Sequence, residues 1–232
     1  MKTTILGMAV ASMFVTSGLA SASEVHEPMF TTSGQFGFVS DYRSKGISQT
    51  NENAAVQGNF RISHDTGIYL NNWGSSTAMA ANGIELQHSV GWETSIQHID
   101  VDAGMRFYNY DGTDIGAAGN YNEFYGSIGV WGVEVGADWT SNYKDGDTNV
   151  FYLGADAGWE LGRLGVAGHI GRSFSDMGII VTGVDEVLDY SLEGSVRIHD
   201  SLHATVAWVG TDLDDATTGV DDSVVFGIRN TF

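Results

Sequence analysis

Apolar and polar residues alternate one by one along most of the chain, in segments of about ten residues. Residues 133–139, for example, read Val-Glu-Val-Gly-Ala-Asp-Trp. Strict alternation is typical of a β-strand with one apolar and one polar face, and no comparable stretch shows the 3.6-residue period of a helix. The chain after residue 22 also contains no run of 18 apolar residues, which a membrane-spanning helix would need.

Twelve alternating segments can be counted, and most have the length that a tilted strand needs to cross a bilayer. Short turns, such as residues 131–132, alternate with long polar loops, such as residues 110–120. This pattern is typical of an outer-membrane barrel. The sequence therefore predicts an all-β fold, an antiparallel transmembrane β-barrel of about 12 strands, with both termini on the periplasmic, short-turn side. The predicted strands are 34–43, 54–63, 68–75, 83–92, 96–109, 121–130, 133–141, 149–159, 164–173, 187–198, 202–210 and 223–232.

The six tryptophans support a membrane protein over a soluble β-sandwich with ordinary core tryptophans. Three lie near the predicted periplasmic ends of strands and three near the outer ends, which suggests two aromatic girdles. In the third segment, alternation leaves open whether Ile68 and Leu70 or Tyr69 and Trp73 face outward. The two groups are Trp92, Trp131 and Trp159, and Trp73, Trp139 and Trp208.

Both ends of the chain carry export and assembly signals. Lys2, an uncharged apolar stretch at residues 5–15 and a small-residue site ending at Ala22 predict a signal peptide over residues 1–22. The remaining residues, 23–232, form the predicted barrel domain. The last segment alternates and ends on an aromatic residue, Phe232. This pattern resembles the C-terminal signal by which the barrel-assembly machinery of Gram-negative bacteria recognises its substrates.

Composition excludes several other classes of protein. The net charge is −19, whereas a nucleic-acid-binding surface needs clustered cations. The chain has no cysteine, which excludes disulfide scaffolds and Cys-ligated metal centres. Aromatic residues make up 11% of the chain, which argues against disorder.

Residues near the start of the predicted barrel resemble a known family. Residues 37–50 read Gly-Phe-Val-Ser-Asp-Tyr-Arg-Ser-Lys-Gly-Ile-Ser-Gln-Thr, and Ala-Val-Gln-Gly follows at 55–58 and His-Asp-Thr-Gly-Ile-Tyr at 64–69. Together with Trp73, they resemble the opening signature of the TorF-type porins, also called the Gcw_chp proteins of proteobacteria. Ser44 and Lys45 stand where the family pattern usually has an aromatic residue and an arginine. The resemblance implies an outer-membrane protein and transfers no catalytic or substrate-binding residue.

Charged side chains on the polar faces of the strands are expected to line the lumen. Exposing a cation to lipid at the membrane midplane costs roughly 2–4 kcal/mol, so these charges must face water or one another. In one interpretation they line a narrow wet pore whose acidic excess favours cations. In the other, arginines and acids interlock and plug the barrel. The pore-lining candidates are Asp41, Arg43, Arg61, Glu85, Asp102, Arg106, Glu123, Glu134, Asp138, Asp156, Glu193, Arg197 and Arg229.

The distribution of glycines and arginines suggests where such a pore would be narrowest. Arg43, Arg61 and Arg229 fall on neighbouring strands and predict a cationic wall. Glycines on four consecutive strands are expected to leave space on the opposite, acidic wall; alternatively, they only permit the strong coiling of a small barrel. These inward glycines are Gly129, Gly136, Gly154, Gly158 and Gly171.

No enzymatic activity is expected, and the sequence indicates no catalytic residue, cofactor or metal site. The motifs of zinc proteases, serine hydrolases and phosphate-binding loops are missing. One residue stands out, because His88 falls on the lipid face between Leu86 and Val90. Asn71 or Asn72 could accompany it as in an outer-membrane phospholipase, but the sequence offers no outward serine beside it.

The predicted function is a porin-like channel for small solutes through a narrow, net acidic lumen. The alternative is a structural or surface-interaction barrel with a plugged lumen. The expected partners are outer-membrane lipid, lipopolysaccharide, the assembly machinery and small solutes. The long loops are acidic, which indicates either divalent-cation bridges to lipopolysaccharide or a solvated rim. The last loop alone contains Asp212, Asp214, Asp215, Asp221 and Asp222.

Overall fold

Within the residues that it describes, the computed structural model contains fourteen β-strands. The structure describes residues 29–78, 83–111, 119–143, 148–175, 184–213 and 219–232. The predicted signal peptide and the acidic residues Asp214 and Asp215 lie outside them. Within the described residues, no helix is long and apolar enough to cross a membrane. The strands are β1 (Phe30–Val39), β2 (Arg43–Ser44), β3 (Ile47–Ser48), β4 (Ala55–His64), β5 (Ile68–Ser76), β6 (Ile84–Ile96), β7 (Ile99–Asp111), β8 (Tyr121–Val130), β9 (Val133–Thr140), β10 (Val150–Leu161), β11 (Leu164–Ser175), β12 (Glu186–His199), β13 (Leu202–Thr211) and β14 (Ser223–Thr231).

Twelve of these strands close into one antiparallel barrel. Each long strand pairs with the next in the chain, and β14 pairs back onto β1. The turn at Trp131 and Gly132 shows why the hairpins form: both residues have positive φ angles, 52° and 86°, which match the twist of the flanking strands. Val130 and Val133 therefore pair directly. The predicted 12-stranded barrel is confirmed.

The predicted strand bounds differ from the structure by more than two residues at two places. The first strand is Phe30–Val39 instead of 34–43, so Asp41 and Arg43 lie beyond its end. The turn between β6 and β7 lies at residues 97–98 and not at 93–95, because Glu93 pairs with Asp102 and extends the ladder to Ile96. The polar residues 93–95 resemble a turn in sequence, although the ladder continues through them.

The outer face of the barrel is apolar. In β5, Ile68 and Leu70 are 54% and 53% exposed, whereas Tyr69 and Trp73 are 4% and 6% exposed. The open question about this strand is therefore settled, and the placement of Trp73 in an outer girdle is wrong. In the β5–β6 ladder, Trp73 is the cross-strand partner of Gln87 and faces the lumen. The Trp73 ring packs there on Tyr42. The other tryptophans face outward: Trp92, Trp131, Trp139, Trp159 and Trp208.

The last residue of the chain takes part in closing the barrel. Beyond β14, the amide of Phe232 donates to the carbonyl of Gly34, and the amide of Gly34 donates back, both at 2.9 Å. A Cβ at position 34 would lie 2.7 Å from the Phe232 ring. Glycine is therefore required where the terminal ring crosses the first strand.

Deletion of Phe232 should weaken the barrel at its seam. It removes two backbone hydrogen bonds, each worth about 0.5–1.5 kcal/mol net, and exposes the end of β1. The folded species should convert to the unfolded one at a lower temperature on a detergent gel. Phe232→Leu keeps both hydrogen bonds and is the matched control. Equal heat resistance of the truncated and full-length chains would show that Phe232 does not hold the seam.

Candidate functional site

The connection between β1 and β4, residues 40–54, folds into the barrel and is called the inserted loop here. Its Tyr42 is 2% exposed, packs on Trp73 with ring centroids 5.4 Å apart, and donates a 3.2 Å hydrogen bond to Oε2 of Glu85. Burial and the neighbouring Glu85 raise the pKa of the Tyr42 phenol well above its ordinary value, which keeps the proton on the donor. The sequence pattern predicts strand for residues 40–43, which is wrong, and only a long outer loop for residues 44–53.

Asp41 organises the inserted loop. Its carboxylate accepts hydrogen bonds from Arg43 Nε at 2.6 Å, Ser48 Oγ at 2.6 Å and Thr50 Oγ1 at 2.9 Å. Arg43 also donates to the carbonyl oxygens of Gly46 at 3.0 Å and Asp221 at 2.6 Å. The buried charges of the loop are thus paired inside the loop and tied to the β13–β14 connection.

The inserted loop contains a small hairpin, formed by β2 and β3, whose tip is Lys45 and Gly46. Both tip residues have positive φ angles, 48° and 79°, as a two-residue hairpin turn requires. A Cβ on Gly46 would lie 2.3 Å from Thr211 Cγ2 and 2.7 Å from the Gly210 carbonyl oxygen. Only glycine allows the tip to press so closely on the barrel wall.

Every arginine within the lumen has a carboxylate partner. Arg61 and Arg229 lie on β4 and β14, across the barrel from β10 and β8, as the predicted cationic wall requires. Their charges, however, are neutralised by local pairing, so that wall is not a free cationic surface. The pairs are Arg43–Asp41 at 2.6 Å, Arg61–Glu93 at 2.7 Å, Arg106–Glu123 at 2.7 Å and Arg229–Glu193 at 3.5 Å.

A row of carboxylates on β7 to β10 lacks such partners. Across the part of the chain that the structure describes, none of them forms an ion pair with lysine or arginine. Asp102 accepts a hydrogen bond from Tyr69 at 2.8 Å, and Asp156 contacts His169 Nδ1 at 2.8 Å. Apart from Asp156, these acids have no basic partner among the described residues, and together they make this side of the lumen rich in acidic groups. The residues are Asp100, Asp102, Glu134, Asp138 and Asp156, all partly exposed.

The predicted pore-lining residues thus fall into three places. Asp41 and Arg43 belong to the inserted loop, and Arg197 lies exposed at the short-turn rim, where it donates to the Gly162 carbonyl oxygen at 3.1 Å. The others are on the inner wall: Arg61, Glu85, Asp102, Arg106, Glu123, Glu134, Asp138, Asp156, Glu193 and Arg229. Among the described residues, no group of three or more His, Asp or Glu side chains is arranged to hold a metal ion.

Comparison with known sequences identifies the family. The sequence model of a family described as "Bacterial protein of unknown function (Gcw_chp)" matches residues 23–232. The chain belongs to the Gcw_chp family. This confirms the resemblance found near the start of the barrel, while the TorF name is not part of the match. No curated protein matches the sequence.

Solved porin structures share the fold of this Gcw_chp protein. The KdgM porin is 7% identical with a TM-score of 0.55, covering 86% of this chain and 99% of that one. The NanC porin is 9% identical with a TM-score of 0.52, covering 87% and 98%. KdgM in complex with disordered oligogalacturonate is 6% identical with a TM-score of 0.54, covering 87% and 99%. At such low identities, the likeness shows the fold alone.

Tyrosines are the lumen residues that the sequence analysis of this Gcw_chp barrel missed. The sequence could have predicted them, because side chains two residues apart on a strand share a face. Tyr108 is two residues from the inward Arg106, and Tyr121 and Tyr125 are each two residues from the inward Glu123. The hydroxyls of Tyr69 on β5 and Tyr125 on β8 hydrogen-bond to each other over the intervening strands β6 and β7. The inward tyrosines with the least exposure are Tyr69, Tyr108, Tyr121, Tyr125 and Tyr152.

Two of the inward glycines do not leave open space in the lumen as expected, because a tyrosine ring fills it. A Cβ on Gly171 would lie 1.9 Å from the Tyr152 hydroxyl, and one on Gly154 would lie 3.1 Å from its ring. These two glycines therefore make room for Tyr152 and leave no open space. At Gly129 the nearest atom is Asp100 Cβ at 3.6 Å, an ordinary contact.

On the outer face, the structure pairs His88 with Asn72. The distance between His88 Nδ1 and Asn72 Oδ1 is 2.6 Å. The cross-strand neighbour of His88 on its other side is Phe107, where a hydrolase arrangement would need a serine. The two polar groups satisfy each other within the apolar surface.

Asp41→Ala should release the inserted loop from the lumen. It leaves the buried Arg43 without its carboxylate, and breaking a buried pair costs about 3–5 kcal/mol. Trypsin should then cut the folded barrel in detergent after Arg43 or Lys45, which mass spectrometry of the fragments would show. Glu52→Ala is the control, since that carboxylate is 53% exposed and 3.8 Å from Arg43. Unchanged resistance of Asp41→Ala would mean that other contacts hold the loop.

The lipid-facing pair should be more stable when both members are replaced than when one is. His88→Leu or Asn72→Leu alone leaves one polar group unpaired in an apolar surface, at a cost of about 1–3 kcal/mol. The double variant removes both polar groups. In lipid vesicles it should unfold at a higher urea concentration than either single variant. A double variant less stable than either single variant would contradict this. Loss of phospholipid hydrolysis on His88→Leu would instead support the lipase hypothesis.

Proposed function

We propose that this protein is an outer-membrane, porin-like channel that passes small solutes and prefers cations. The observation that carries the proposal is the row of carboxylates on β7 to β10 that are partly exposed and have no lysine or arginine partner among the described residues. Several charges without cationic partners are tolerated in a barrel interior only where water reaches them. A hydrated lumen with fixed negative charge on one wall is the arrangement of a cation-preferring pore.

The charge of the lumen depends on which acids pair with arginines and not only on how many acids the chain contains. The lumen arginines have carboxylate partners at 2.6–3.5 Å, whereas five acids on β7 to β10 have no lysine or arginine partner among the described residues. Low-dielectric walls strengthen the field of such charges over the distance of a narrow lumen. Cations are therefore concentrated in the lumen and anions are repelled.

The outer surface supports a membrane location. Apolar side chains ring the barrel, and the exposed tryptophans would lie at the membrane interfaces. In the proposed orientation, the short turns and both termini are periplasmic and the acidic loops face outward, next to lipopolysaccharide. Phe232 would present the assembly signal. The KdgM and NanC porins share the fold, and their names support a transport role for this chain as well.

A plugged structural barrel is the second candidate, favoured by the inserted loop. Its buried contacts with Glu85, Trp73 and Asp221 occupy the long-loop half of the lumen. A cavity of about 50 Å³ remains between the loop and the wall of β1, β13 and β14. A path there would admit only small solutes, so the two candidates differ in whether the loop leaves a continuous passage.

Reversal potentials in a salt gradient across a planar bilayer test the proposal. The wild-type channel should favour cations, and Glu134→Gln combined with Asp138→Asn should reduce that preference, because two unpaired lumen charges are lost. Screening by higher salt should also reduce it. The control is Asp65→Asn with Asp200→Asn, which removes two acids from exposed turns where the side chains are 70% and 91% exposed.

Two results would contradict the proposal. Anion selectivity abolished by Arg61→Ala would place the narrowest ring at the arginines. A complete lack of conductance from a barrel that is normally heat-resistant on gels would establish the plugged structural protein.

A further inference from the structure

We propose that the lumen contains a binding site for primary ammonium cations, which the side chain of Lys45 occupies, so that alkylammonium solutes compete with the inserted loop for it. The inference rests on the proposed function and names a class of solute that the lumen would recognise. The site lies between Tyr152 on β10 and Glu123 on β8.

Lys45 reaches this site from the hairpin tip of the inserted loop. Its Nζ lies 4.2 Å from the centroid of the Tyr152 ring and 3.9 Å from Glu123 Oε2. An aromatic face together with a carboxylate is a favourable surrounding for an ammonium group. The Lys45 side chain remains 27% exposed, and its distance to Glu123 is longer than a hydrogen bond. The ammonium is thus held loosely enough to be exchanged.

The walls of the site are fixed without any help from Lys45. Oε1 of Glu123 accepts hydrogen bonds from Arg106 at 2.7 Å and Tyr108 at 3.1 Å, which leaves Oε2 toward Lys45. The Tyr152 hydroxyl is held by His169 Nε2 at 2.7 Å and Asp189 Oδ1 at 3.1 Å. A site whose walls are anchored from behind keeps its shape when its occupant leaves.

Carboxylates without a lysine or arginine partner connect the site to the short-turn half of the lumen. Asp138 is the cross-strand partner of Tyr152 and interacts electrostatically with Lys45. Four residues further along each strand, Asp156 is the cross-strand partner of Glu134. These acids offer successive positions to a solute cation that enters from the short-turn end, and the last of them adjoins the Lys45 ammonium.

Direct binding of n-butylammonium, which matches the Lys45 side chain, tests the inference by calorimetry on the detergent-solubilised full-length barrel. If Lys45 fills the site nine-tenths of the time, Lys45→Met should tighten binding about tenfold, because the competent fraction rises to one. The control Arg172→Gln removes a cation from the outer face, where Arg172 contacts Glu186, and should leave the affinity unchanged. The uncharged analogue n-butanol should not bind.

A second variant asks whether the acid wall holds the ligand. In the Lys45→Met background, Glu123→Gln should weaken n-butylammonium binding at least tenfold, whereas Glu186→Gln on the outer face should not. If Glu123→Gln lowers the heat resistance of the barrel, Asp138→Asn replaces it, since Asp138 forms no ion pair among the described residues. The inference is overturned if wild-type and Lys45→Met protein bind n-butylammonium with equal affinity. It is also overturned if neither Glu123→Gln nor Asp138→Asn weakens the binding.

Calorimetry and conductance separate this inference from the proposed function. A barrel that binds n-butylammonium in a Lys45-dependent way but passes no current supports the site and contradicts the channel. A barrel that conducts but shows no Lys45-dependent binding supports the channel and contradicts the site.

Discussion

Closure of the backbone hydrogen-bond ladder is the constraint on which the rest of this structure depends. A sheet surrounded by lipid has no water to satisfy an open edge, so its first and last strands must pair with each other. Here β1 meets β14 and the amide and carbonyl of Phe232 complete the seam against Gly34. Once the sheet is closed, each strand has a lipid side and a lumen side, and alternation assigns every side chain to one of them.

Closure also sets the electrostatics of the lumen, because it brings charges from distant parts of the chain into one small space. Arginines draw the nearest carboxylates into pairs, as Arg61 does with Glu93 across the intervening strand β5. Acids outnumber arginines, so several lumen acids have no arginine partner. Five of them lie on β7 to β10, and of these strands only β7 also contributes an arginine to the lumen.

Alternation predicted the strand number, the antiparallel topology and the inner or outer face of most side chains, since period 2 reports directly on which face is buried. It failed at Trp73, where both faces of β5 carry large apolar or amide side chains and the period has no contrast. It extended the first strand wrongly to residue 43 and did not predict that the following loop folds into the barrel, because the inward path of a loop depends on tertiary contacts such as Tyr42 with Trp73 and Gly46 with Thr211. Alternation also could not predict which arginine pairs with which carboxylate, since that depends on which strands become neighbours.

The inserted loop separates two properties that a constriction usually combines. Its position depends on the Asp41 network and on the fit of Gly46 against β13, both of which are independent of the acid wall. Its charge in the lumen depends on Lys45, which touches Glu123 and Tyr152 but contributes no contact to the Asp41 network. In the proposed channel, a change at Asp41 would therefore alter the space that the loop leaves, whereas a change at Lys45 would alter the charge that a solute meets. Because the two features are structurally separate, the width and the selectivity of such a channel could vary independently on one barrel.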